Sequence, residues 1–129
     1  MLFQKARWHT VKRLALYLPE RDRIGNRVND IEQWVDQAII LLCNLNGGAT
    51  RLPPAEGVWL VEATGETIRE TVHAVYSLVK PQAYLMQRAF IYDFLEKFGK
   101  GANQDTVAME FDGRMYFHKI EHPALRKHA

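Results

Sequence analysis

Residues 44 to 60 read NLNGGATRLPPAEGVWL, and the stretch gathers residue types that handle small polar groups. Gly47 and Gly48 let backbone N–H groups approach a ligand closely, and positive φ costs glycine little, so an anion-binding nest could form there. Thr50 adds a hydroxyl donor and acceptor. Arg51 adds a cation, Trp59 an aromatic cover, and Glu70 a carboxylate that could act as acceptor or general base. These six residues are the candidate ligand site. Several also have a purely structural reading. Gly47-Gly48 can end a helix, a tryptophan beside a strand usually packs in the core, and a bulge near Arg69 would return Glu70 to solvent.

Other constellations are poorer in chemistry. His118 and His122 are four apart but fall on a strand end, and no HExxH pattern or paired cysteine occurs, so no metal site is expected. Ser77 is the sole serine and sits inside a long strand pattern, away from any nucleophile elbow. No cofactor motif is present and no reaction is assigned.

The elements that must position the candidate site follow from periodicity. Leu14, Leu16 and Leu18 alternate in a strand stopped by Pro19. Ile31, Trp34, Val35, Ala38, Ile39, Leu42 and Leu45 form one helical stripe, with Asp30 and Gln33 placed as a capping box and Gly47 as the C-terminal stop. VWLVEA and TIRETVHAVYSLV read as two strands around a tight turn. The even positions of the second are the more apolar, so they are expected to face the helices with Glu70 in phase and His73 on the open side. Pro81 starts a second helix that ends at Gly99, with Met86, Phe90 and Phe94 outside its main apolar face. Val107, Met109 and Phe111 alternate before the Asp112-Gly113 hairpin turn. Asn103-Gln104 is placed to cap the helix end.

This order predicts an α+β fold, ferredoxin-like βαββαβ, with an antiparallel sheet, two helices on one face and an extra C-terminal hairpin strand. At 129 residues and 15.0 kDa, residues 1–129 form a single domain, with a basic N-terminal arm over about 1–10 and a C-terminal tail over about 120–129. No apolar run reaches the roughly 20 residues of a membrane span. One cysteine, Cys43, excludes an internal disulfide and suits a reducing compartment, so a cytoplasmic location is expected. The net charge of +2 is uneven, with seven Lys/Arg against two acids in residues 1–27. Lys12, Arg13, Arg21, Arg23 and Arg27 are therefore candidate phosphate contacts for nucleic acid, though basic termini are often only solvated tails.

The landmarks Gly47-Gly48-Ala49-Thr50, Gly57-Val58-Trp59, Glu70 and Gln104-Asp105-Thr106-Val107 resemble a loosely defined family of short, uncharacterised bacterial βαββαβ domains. The resemblance covers roughly 100 residues. It implies the fold and one shared locality for Gly47, Gly48, Thr50, Trp59 and Glu70, and no activity. The basic arm, the double proline and the tail depart from the pattern. Two functions follow as expectations. One is a homodimer binding a small polar or anionic ligand near the Gly47–Trp59 loop. The alternative is an accessory protein that meets nucleic acid or a protein partner through its basic termini and open sheet face.

Overall fold

The computed structural model of the chain describes residues 10–123, so the basic arm apart from Thr10 and the tail beyond Pro123 lie outside the described residues. The elements in order are β1 (Lys12–Pro19), α1 (Ile31–Asn46), β2 (Thr50–Arg51), β3 (Ala55–Val61), β4 (Glu66–Val79), α2 (Pro81–Gly101), β5 (Thr106–Phe111) and β6 (Arg114–Lys119). All pairings are antiparallel, in the order β2-β4-β1-β5-β6, and β3 also pairs with β4. Over the described residues the chain is an α+β fold with one antiparallel sheet and two helices. Among the described residues no helix is long and apolar enough to cross a membrane.

The three alternating leucines of β1 place the core. Leu14, Leu16 and Leu18 are fully buried in one apolar cluster with Val35 and Leu42 of α1 and Ile91, Leu95 and Phe98 of α2. The α1 stripe forms as its spacing requires, and Gly47 closes the helix at φ 82° with its N–H donating to Cys43 O. The expected capping box does not form. Asp30 makes no side-chain cap bond, and it is the Asp30 backbone carbonyl that accepts from the N–H groups of Gln33 and Trp34.

β2 and β3 lie along the same edge of β4, interrupted at Leu52-Pro53-Pro54. The Leu52 N–H still donates to Ala74 O. The two prolines have no N–H to offer, so ladder pairing stops there.

The expected facing of β4 is reversed. Register pairs Leu14 with Ser77, Leu16 with Val75 and Leu18 with His73, so the odd positions of β4 face the helices. His73 and Ser77 are each 2% exposed, while Leu78 is 56% exposed and Glu70 lies on the open side without any bulge. Apolar count misled here because two polar side chains on the buried face find partners. His73 Nε2 lies 2.9 Å from Glu20 Oε1, and its Nδ1 lies 3.2 Å from Arg51 Nη2. Arg51 can only donate, so Nδ1 accepts and Nε2 carries the proton toward Glu20.

α2 begins at Pro81 as expected and runs past Gly99 to Gly101. Phe94 is buried, whereas Leu85, Met86 and Phe90 are exposed. Cys43, within α1, is exposed.

Candidate functional site

The residues proposed as one site divide between two places on the long strand β4. Gly47, Gly48 and Thr50 border a cavity of about 400 Å³ together with Asn46, Ala49, Tyr76, Ser77 and Leu78. Glu70 and Trp59 lie elsewhere. Tyr76 lies six positions after Glu70, roughly 20 Å of extended strand. There the Trp59 indole Nε1 donates to Glu70 Oε2 at 3.0 Å, and it stands 3.7 Å from where a Cβ on Gly57 would be. The indole thus lies back over the strand to reach the carboxylate, and a Cβ at Gly57 would meet it only in ordinary van der Waals contact. A single hollow bordered by Thr50, Trp59 and Glu70 is not what this geometry forms.

Arg51 follows Thr50 by one residue and therefore points to the opposite face of the sheet. Its guanidinium grips Glu32 of α1 through two 2.7 Å bonds, which holds the Glu32 carboxyl below the usual carboxylate range. With His73 and Glu20 it forms a chain that ties β2 to α1 and to the end of β1. Arg51 is a tether beneath the loop, turned away from the cavity.

The cavity floor is a second polar chain. Gln87 Nε2 donates to Asn46 Oδ1 at 2.7 Å, and Asn46 Nδ2 donates to Ser77 Oγ at 2.9 Å. The Ser77 hydroxyl proton is left free to donate. The backbone contributes as well. Ala74 O points to the β2 side of β4, so alternation turns the Leu78 amide and carbonyl to the same edge. Among the described residues β2 pairing stops at Tyr76, leaving the Leu78 groups without a strand partner there. Sequence reasoning missed Asn46, Ser77 and Leu78, because nothing local marks which strand edge will be left open. Among the described residues no charged side chain lines this cavity.

On the open face of the sheet three charged groups, Arg13, Glu110 and Glu70, are each held by an aromatic residue of that face, and Glu66 and Lys119 lie at its ends. Arg13 lies 4.4 Å over the Tyr76 ring, the Tyr17 hydroxyl donates to Glu110 at 2.7 Å, and Trp59 donates to Glu70. Burial first, and the bond to Glu110 second, push the Tyr17 phenol up to about 12. A phenol whose folded pKa exceeds its unfolded value of about 10 contributes stability below pH 10 and loses it as pH rises through 12. Alkaline ultraviolet titration of the five tyrosines should show Tyr17 ionising late, and Glu110→Gln should bring it forward. Simultaneous ionisation of all five near pH 10 in folded protein would contradict this geometry.

The candidate nucleic-acid residues do not gather into one patch. Lys12 pairs with Asp112 at 3.1 Å and Arg13 lies on Tyr76 at one end of β1. At the other end Arg21 donates to Gly25 O, Arg23 reaches Asn103 and Asp105, and Arg27 is exposed beside Arg21. Asn103 and Gln104 anchor this loop to the end of α2, with Gln104 Nε2 donating to Arg21 O and Ala102 O. Among the described residues no three His, Cys, Asp or Glu side chains cluster as a metal would require.

No family profile matches the sequence, and comparison with curated proteins finds no match. Among solved structures, a phage SAM lyase in complex with S-methyl-5'-thioadenosine is similar over 88% of this chain and 93% of its own, with TM-score 0.60 and 10% identity. A phage SAM lyase in the apo state is similar over 92% of this chain and 98% of its own, with TM-score 0.54 and 14% identity. At these identities the likeness shows the fold alone.

Proposed function

We propose that the chain is a homodimeric, cytoplasmic small-ligand-binding protein whose site is the Gly47–Thr50 cavity, with a neutral purine-nucleoside-like molecule as its ligand. The observation that carries the reading is the unpaired Leu78 edge inside that cavity. An amide N–H beside a carbonyl matches the acceptor and donor that a base such as adenine shows along one edge. Thr50 and Ser77 hydroxyls and the glycine amides then remain for the sugar. The absence of charge in the lining favours a neutral ligand there over an anion. The fold-mate that holds S-methyl-5'-thioadenosine, itself an adenine nucleoside, supports the same class. In this reading the sheet order is that of a ferredoxin-like domain extended by β6, with its edge strand broken into β2 and β3. The glycine-glycine-threonine landmark belongs to the ligand, while the tryptophan and Glu70 landmarks brace the β3–β4 ribbon.

Calorimetric titration with adenosine and with S-methyl-5'-thioadenosine tests the proposal. Thr50→Val should weaken binding about tenfold, the cost of one hydrogen bond of roughly 1.4 kcal/mol. Trp59→Phe should leave binding unchanged. Failure of both compounds to bind at about 1 mM, or equal affinity for Thr50→Val, would reject the site.

A further inference from the structure

A second cavity, of about 450 Å³, lies at the opposite edge of the sheet, between α2 and the β5–β6 hairpin. Its helix wall is the stripe Pro81, Tyr84, Arg88 and Tyr92, spaced to face one way. The hairpin wall adds Phe111, Arg114 and Tyr116. Three of these aromatic rings are already fixed. Tyr84 stacks on Phe111 with ring centres 3.8 Å apart and planes within 6°, and Tyr92 stacks on His118. Arg88 lies 5.5 Å over Tyr92 and donates weakly to its hydroxyl at 3.4 Å. Tyr116 is left 38% exposed.

Charge makes the cavity directional. Among the described residues its one acid is Asp112, which Lys12 neutralises at 3.1 Å. Among the described residues neither Arg88 nor Arg114 has a carboxylate within ion-pair distance. Two guanidiniums without counter-charge thus border a wall of aromatic rings. Burial, and then Tyr92, push the Tyr84 phenol up to about 12, so it adds no negative charge at neutral pH.

We propose that this cavity binds a nucleoside monophosphate, with the base against Tyr116 and the phosphate held by Arg88 and Arg114. Guanidinium forks match phosphate oxygens, and aromatic faces accept any planar base. The volume lies in the range of small-molecule sites, which favours a single nucleotide over a polymer. This site shares no residue with the Gly47–Thr50 cavity and does not depend on it.

Titration of the whole chain with GMP, UMP, guanosine, inorganic phosphate and a short oligothymidylate separates the alternatives. The proposal expects both monophosphates to bind, with guanosine and phosphate each at least tenfold weaker. Arg88→Leu and Arg114→Leu should each lower GMP affinity about tenfold or more, Tyr116→Ala should lower it several-fold, and Thr50→Val should not change it. Added salt should weaken binding. Inorganic phosphate binding as tightly as GMP would reduce the site to an anion patch. Guanosine binding equally would remove the arginines from recognition, and an oligothymidylate binding far tighter through the same residues would make it a polymer surface. Any of these, or no nucleotide binding at about 10 mM, overturns the proposal.

Discussion

Gly99→Val is expected to destabilise the fold by about 3 kcal/mol and to lower the melting temperature by roughly 10 °C. Gly99 is buried in the last part of α2, and a Cβ there would run into the Cγ1 and Cδ1 atoms of Ile120. Ile120 cannot readily give way. It is 3% exposed, belongs to the core cluster, and its N–H donates to Asp105 O at 2.8 Å. A β-branched side chain held by its backbone has few rotamers to retreat into. Denaturant unfolding followed by circular dichroism measures the loss, and a double-mutant cycle identifies its cause. Truncation to Ile120→Ala should cost about 2 to 4 kcal/mol alone, yet in that background Gly99→Ala should cost much less than in the native chain. Additive effects would show that the glycine serves something other than this close approach. Gly48→Ala is the control, because a Cβ there meets nothing within 4 Å.

The same glycine shows where sequence reading reached its limit. A glycine after a long apolar helix pattern signals a stop, and at Gly47 that reading is physically right, since φ is positive there. Gly99 has the same local context, but the helix continues to Gly101, and the missing Cβ makes room for the chain after β6. Nothing within ten residues of Gly99 encodes Ile120. Gly101 is similar, with Trp34 of α1 standing where its Cβ would be. The helices, the β1 alternation and the hairpin at Asp112-Gly113 were legible because each is set by local spacing. Long-range approaches were not.

β4 teaches the same lesson for the site. Its even positions carry more apolar residues, yet the sheet buries the odd ones. Facing is decided by register against Leu14, Leu16 and Leu18, and a one-residue shift would reverse every side chain. His73 and Ser77 tolerate burial because Glu20, Arg51 and Asn46 lie within hydrogen-bond reach. Those partners are 22 to 53 residues away in sequence. Once the facing is known, Gly47, Gly48 and Thr50 stay at a cavity. Arg51 turns under the sheet, and Trp59 and Glu70 move to the ribbon.

That reversed facing also leaves an apolar surface to be covered, and it leads to the second large effect. Register sets Ala74, Tyr17, Ala108 and Phe117 in one row across the open face, with Tyr76, Ala15, Glu110 and Met115 in the next. Leu78, Met115 and Phe117 are exposed, whereas Ala15 and Ala74 between the larger side chains are buried. Arg13, Glu110 and Glu70 already have aromatic partners on this face, so a second copy can cover them without stranding them, while Glu66 and Lys119 stand at the strand ends. We expect a two-fold dimer through this surface, the arrangement in which one patch meets itself. In such a pair Phe117 is an anchor, and truncating an anchor costs about 2 kcal/mol or more, roughly 30-fold in dissociation constant. Phe117→Arg adds like-charge repulsion between the two copies. Light scattering should then find the native chain dimeric at micromolar concentration and Phe117→Arg monomeric, with unchanged circular dichroism. Phe90→Arg, on the exposed side of α2, should remain dimeric. A native monomer, or a dimer broken by Phe90→Arg and untouched by Phe117→Arg, would move the contact away from the sheet.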